Sequence, residues 1–101
     1  MSTHFTKVVE LMAALRAQNG CPWDRKQTHE SLKPYLLEET YEVLETIDQG
    51  NLAKLREELG DVLLQVIFHS QIAAEAGNFT VEEVLDTLAE KLVRRHPHVF
   101  G

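Results

Sequence analysis

The chain has a single cysteine, Cys21, in 101 residues, so no internal disulfide can form and a reducing, cytoplasmic setting is expected. No apolar run approaches the roughly 18 residues a membrane helix needs, so no membrane partner is expected. The opening segment MSTHFTKVVELM lacks the basic region of a secretion signal and reads as the start of a helix. Positive charge is scarce too. Ten lysines and arginines stand against sixteen acidic residues, for a formal net charge of −6, which argues against a basic face for a nucleic-acid polymer. A small phosphorylated ligand that arrives with its metal is still compatible. Strand-like alternation, internal repeats, low-complexity tracts, a phosphate-cradling glycine loop and a nucleophile triad are all missing. What remains is an all-α chain, 44% apolar, with enough material for one domain over 1–101 and a modest core.

Four main helices are expected. Phe5, Val8, Val9, Met12 and Leu15 have amphipathic spacing, and Asn19-Gly20 followed by Pro22 ends a first helix spanning about 4–18. The next segment, CPWDRKQTHESLKP, has no sustained period and reads as an ordered loop with a short helical turn; its Trp23 is a core or interface plug. Proline is best tolerated in a first turn, so the second helix is placed from about Pro34 to Ile47, with Leu37, Thr40, Tyr41, Leu44 and Ile47 on one side. Taken alone, it is an ordinary surface helix. The third, about Leu52 to Ala76, is apolar around nearly its whole circumference and must be buried all round. Gly60 in its middle points to a close backbone approach. Thr80 to Glu83 forms a capping box for a fourth helix with a core face of Val81, Val84, Leu85, Leu88 and Leu92, stopped by Pro97.

The second and third helices flank a natural turn, Asp48-Gln49-Gly50-Asn51. Glu38, Glu39 and Glu42 precede it; Glu57, Glu58 and Asp61 follow. In an antiparallel hairpin folded there, facing residues have numbers adding to about 100, which sets Glu39 opposite Asp61 and Glu42 opposite Glu58. Carboxylates crowded at one level repel unless a hard cation holds them, and oxygen-only donors suit Mg²⁺ or Mn²⁺. The plainer alternative is a solvated acidic face. Glu-x-x-His pairs of a di-iron bundle are absent, since Val66 precedes His69 by three residues and Lys26 precedes His29. Cys21 with His96 and His98 gives no zinc spacing. Lys54 lies one turn before Glu58, where its ammonium can offset carboxylates or reach a phosphate oxygen. Lys91, Arg94 and Arg95 equally well complement the dipole at the end of the fourth helix.

These segments resemble the MazG family of all-α nucleoside triphosphate pyrophosphohydrolases. The resemblance rests on CPWDRKQTH at 21–29, YLLEETYEVLETI at 35–47, LREELGDVLLQVIFHSQIA at 55–73 and KLVRRHPHVF at 91–100, nearly the whole chain. It implies a nucleoside triphosphate substrate, cleaved to the monophosphate and pyrophosphate with Mg²⁺. It further implies Glu39, Glu42, Glu58 and Asp61 as metal ligands, Glu38 as the residue that orients or deprotonates water, and Lys54, Lys91 and Arg95 as nucleotide contacts. Dimers or higher assemblies are implied as well. The competing class is a weakly active or non-catalytic helical dimerisation module of a larger MazG-type protein. A homodimer is also expected from the residues, because the single stripes of the first and fourth helices cannot cover the third, leaving Phe68 and Ile72 for a partner.

Overall fold

A computed structural model describes residues 3–101 and is all-helical. Its elements are α1 (Thr3–Leu15), α2 (Pro22–Lys26), α3 (His29–Gln49), α4 (Leu52–Glu75), α5 (Val81–Arg95) and α6 (Pro97–Phe100). Among the described residues no helix is long and apolar enough to cross a membrane.

Local signals set most boundaries. Gly50 takes a left-handed φ of 67° to close α3, and the Asn51 side chain accepts the Lys54 N–H to open α4. The Thr80 and Glu83 capping box opens α5 as expected. Gly20 allows the exit from α1, since a Cβ there would run into the Leu15 and Ala14 carbonyls. The helix itself ends at Leu15, short of 18, and continues only as turns. Beyond the stop at Pro97, the chain makes one more helical turn, α6.

The larger difference is the start of α3, five residues before Pro34. Thr28 and Ser31 exchange backbone and side-chain hydrogen bonds in a capping box (3.0 and 2.8 Å), which fixes the first turn. The proline then withholds a donor only from the Glu30 carbonyl four residues back.

The antiparallel hairpin of α3 and α4 is the spine, and its register holds along its length. Leu32 lies opposite Phe68, both buried, and His29 meets His69. Met12 of α1 joins Leu32, Ile67 and Phe68 in the core, flanked by Phe5, Val9 and Ile72.

Phe68 is thus 2% exposed within its own chain, which corrects the expectation that it faces a partner. Its cover comes from the aperiodic segment. The Trp23 ring packs edge-on to Phe68 and Tyr35, at 6.3 and 5.5 Å between centres, and the Arg16 guanidinium lies 5.8 Å from the Phe68 ring centre. Arg16 is held by Glu75 through Nε and Nη2 (2.9 to 3.2 Å) and donates to the Asp24 and Gln27 carbonyls (2.7 and 3.1 Å). One side chain thereby ties α1, α2, the residue after it and α4 together.

Further expectations are overturned, the first being that α4 is buried all round: its Leu59, Leu63, Leu64 and Val66 are exposed. A Cβ on Gly60 would meet nothing within 4 Å, so no backbone approaches it. On α5 only Val81, Val84 and Leu85 are partly covered, while Leu88 and Leu92 are exposed. As the hairpin register requires, the second helix turns its acidic side toward α4. Its Leu37, Tyr41, Leu44 and Ile47 stripe faces outward, with Tyr41 62% exposed, while Glu39, Glu42, Val43 and Thr46 form its more covered side. The Cα radius of gyration, 15.7 Å, exceeds the roughly 13 Å of a compact domain this size. The chain is an open frame around a small core.

Candidate metal centre

The hairpin register brings the acidic side of α3 against α4. Thr46, buried at 2% exposure, turns its hydroxyl onto the Glu42 carbonyl at 2.7 Å rather than spending it across the cleft. Above it, Glu39 of α3 and Glu58 and Asp61 of α4 each offer a carboxylate oxygen, and the three oxygens lie within 4.8 Å of one another. Glu58 is 8% exposed but covered thinly by neighbouring side chains rather than sunk in the core.

The electrostatics register the crowding. Loss of solvation, then the charges of Asp61, Glu58, Glu38 and Glu42, push the Glu39 carboxyl above its usual range. Glu58 is pushed up by the same loss of solvation, then by Asp61 and Glu42, with Lys54 pulling back and Glu57 adding a little. Glu42 and Glu38 are therefore electrically part of the cluster, although the three converging oxygens come from Glu39, Glu58 and Asp61.

Oxygens bound to one Mg²⁺ at about 2.1 Å stand roughly 3 to 4.2 Å apart. The observed spread needs only small side-chain rotations to close on one ion. The donor set is all oxygen, anionic and drawn from two rigid helices, which suits a hard divalent cation and no soft one.

Lys54 is exposed in the first turn of α4 and acts on Glu58. Lys91 lies elsewhere, at the edge of a groove of about 640 Å³ between α4 and α5 lined by Val66, Phe79, Val84 and Leu88. Arg95 is the last residue of α5. Among the described residues neither Lys91 nor Arg95 makes an ion pair; the one formed is between Arg16 and Glu75. The sequence reading missed the polar layer beyond the carboxylates, buried Gln65 and the His29 and His69 pair. Extending the facing-pair rule past Asp61 would have found the histidines.

Comparison with known proteins gives the family. A sequence model described as the MazG nucleotide pyrophosphohydrolase domain matches residues 27–100, which include every candidate site residue. A Thermotoga maritima protein named nucleoside triphosphate pyrophosphohydrolase/pyrophosphatase MazG is 65% identical over 97 residues, 96% of this chain and 38% of its own length. Proteins named nucleoside triphosphate pyrophosphohydrolase from Escherichia coli K12 and Mycobacterium tuberculosis are 48% and 52% identical, over 94% and 92% of this chain. The chain spans only 36% and 29% of those two relatives. A domain match across three quarters of the sequence, on the two helices whose carboxylates converge, places this chain in the MazG nucleotide pyrophosphohydrolase domain family.

Proposed function

We propose that the domain hydrolyses nucleoside triphosphates, standard or aberrant, to the monophosphate and pyrophosphate in the cytoplasm. Mg²⁺, or Mn²⁺ in its place, would be held by Glu39, Glu42, Glu58 and Asp61. The observation that carries this reading is the convergence of Glu39, Glu58 and Asp61 oxygens within 4.8 Å on facing helices. A bound divalent cation supplies charge neutralisation for the triphosphate and its leaving pyrophosphate. The chain's own residues do the rest. Glu38, exposed beside Glu39, orients the attacking water and accepts its proton. Lys54, Lys91 and Arg95 offer cationic groups to phosphate oxygens.

The functional unit in this reading is a homodimer or a higher assembly. Its support is the exposed Leu37, Tyr41, Leu44 and Ile47 stripe on α3, with Leu59 and Leu63 exposed on α4. Apolar surface of this extent on both hairpin helices is unusual for a chain that works alone.

The test is pyrophosphate release from mixed nucleoside triphosphates with and without Mg²⁺. The expected result is metal-dependent monophosphate and pyrophosphate in equal amounts, lost in Glu42→Gln. Orthophosphate as the first product rejects the proposed bond. A folded chain that releases no pyrophosphate with Mg²⁺ supports a second reading, a non-catalytic dimerisation module of a larger protein.

A further inference from the structure

His29 and His69 meet at the end of the hairpin away from its turn, and the carboxylate site does not use them. Their Nδ1 atoms are 2.7 Å apart. The ring planes lie within 2° of parallel, with centres 5.0 Å apart. An imidazole nitrogen sits about 1.1 Å from its ring centre, so two such radii plus the N···N gap account for nearly all of that separation. The rings therefore lie edge to edge, close to a common plane, rather than face on.

In this arrangement each Nδ1 points along the line to the other. One proton fits between them, in an N–H···N hydrogen bond. A metal ion does not, because imidazole bonds of about 2.0 Å on each side would need head-on nitrogens roughly 4 Å apart.

One shared proton gives the two rings opposite tautomers. The Nε2 of His69 and the Oε1 of Gln65, one helical turn earlier on α4, are both buried without a hydrogen-bond partner. No hydrogen bond joins these two atoms as they stand, but Gln65 Oε1 can only accept, so a side-chain rotation of Gln65 toward His69 would satisfy both when the His69 hydrogen is on Nε2. In that tautomer His69 Nδ1 is the acceptor and His29, the first residue of α3, the donor.

A second proton has no place. Two N–H groups would confront each other at 2.7 Å, with two like charges in a part-buried site at the positive end of the α3 dipole. The charged residues on the elements around the pair include Arg16 just after α1, Asp24, Arg25 and Lys26 on α2, Glu30 and Lys33 on α3, Glu75 on α4, and Glu82 and Glu83 on α5. Arg16 and Glu75 hold each other, Glu83 caps Thr80, and the only charge that shifts His69 is that of His29. Burial first, then that charge, holds the His69 imidazole below its usual range.

We propose that His29 and His69 form a one-proton latch that pins the first turn of α3 to α4 near neutral pH and opens when the pair takes up a second proton. The helix it pins also carries Glu39 and Glu42. Because the folded imidazole is depressed, the stability the latch contributes is fully present above the ordinary imidazole range and is lost as pH falls below it.

The test is imidazole-nitrogen NMR and amide exchange on the full chain. At about pH 7.5 one Nδ1 should be protonated and the other bare, with a coupling across the N–H···N bond. On acidification to about pH 5.5 the coupling should vanish. Exchange of the Leu32 amide, which bonds Thr28 in the first turn of α3, should quicken about tenfold after correction for its intrinsic rate, the effect of losing one hydrogen bond. His29→Asn offers His69 an uncharged partner that cannot gain a proton, and should remove the pH step. Two histidines titrating independently at ordinary values, or a wild-type chain with flat Leu32 exchange, overturn the latch. So does a pH step that persists in His29→Asn.

Discussion

Replacing Asp61 by Asn should change stability in opposite directions without and with Mg²⁺, and that crossing is what a built metal site requires. The oxygens of Asp61 and Glu39 approach within 4.8 Å, and two unit charges at that distance in a water-like medium repel by about 0.9 kcal/mol. Asparagine keeps the shape and nearly the helix propensity while removing the charge. The metal-free variant should therefore be about 1 kcal/mol more stable than the wild type, read from urea denaturation in a chelator. Mg²⁺ should reverse the order. At 100 times its dissociation constant, a site-bound ion stabilises the folded wild type by about 2.7 kcal/mol. The variant, short of one anionic ligand, should gain far less, and its Mg²⁺-dependent pyrophosphate release should fall to background. A metal-free Asp61→Asn chain less stable than the wild type would refute the reasoning, as would one that gains as much from Mg²⁺.

Glu39 and Glu58 have raised folded pKa values, so what they contribute to stability is present below the ordinary carboxylate range and lost as pH rises through the raised values. Metal-free urea midpoints should show this loss, Mg²⁺ should cancel it, and Mg²⁺ binding in this range should release protons into a weakly buffered calorimeter cell. Glu75 runs the other way. Its hydrogen bond to Arg16 holds it low, so its contribution is lost as pH falls, and Glu75→Gln should remove that acid limb alone. Gly60→Ala should stabilise the chain by about 1 kcal/mol, since helix propensity favours alanine and a Cβ meets open space. A destabilised variant would mean that an assembly partner touches Gly60. Tyr41→Lys, on the exposed stripe of α3, should leave the fold intact and shift sedimentation at micromolar concentration to the monomer; an unchanged dimer would move the interface off this stripe.

The turn at Gly50 and the caps at Asn51 and Thr80 were legible because each is decided within four residues of chain. The pairing of Glu39 with Asp61 was legible for a related reason, since a tight turn fixes the register of everything that follows it. The start of α3 was not. Pro34 is a louder signal than Thr28 and Ser31, yet it leaves one carbonyl unpaired while the capping box satisfies two N–H groups. The cover over Phe68 was hidden because Trp23 and Arg16 reach it from outside the periodic core pattern, which marks stripes and not single side chains arriving from elsewhere.

The face that α3 turns inward was legible only from the register of the hairpin, not from the helix's own periodicity. Periodicity separates an apolar side from an acidic one, but the usual rule for choosing between them assumes that one chain makes its own core. Here the acidic side borders α4, so the carboxylates converge at a level where Thr46 and the thin cover of Glu58 replace a hydrocarbon seam. Leu37, Tyr41 and Leu44 are then left outside, with Tyr41 62% exposed. A helix has one circumference. Turning the acidic stripe toward a hairpin partner commits the apolar stripe to solvent or to another chain, so the converging carboxylates and the exposed apolar stripe are two consequences of one rotation of α3 about its axis.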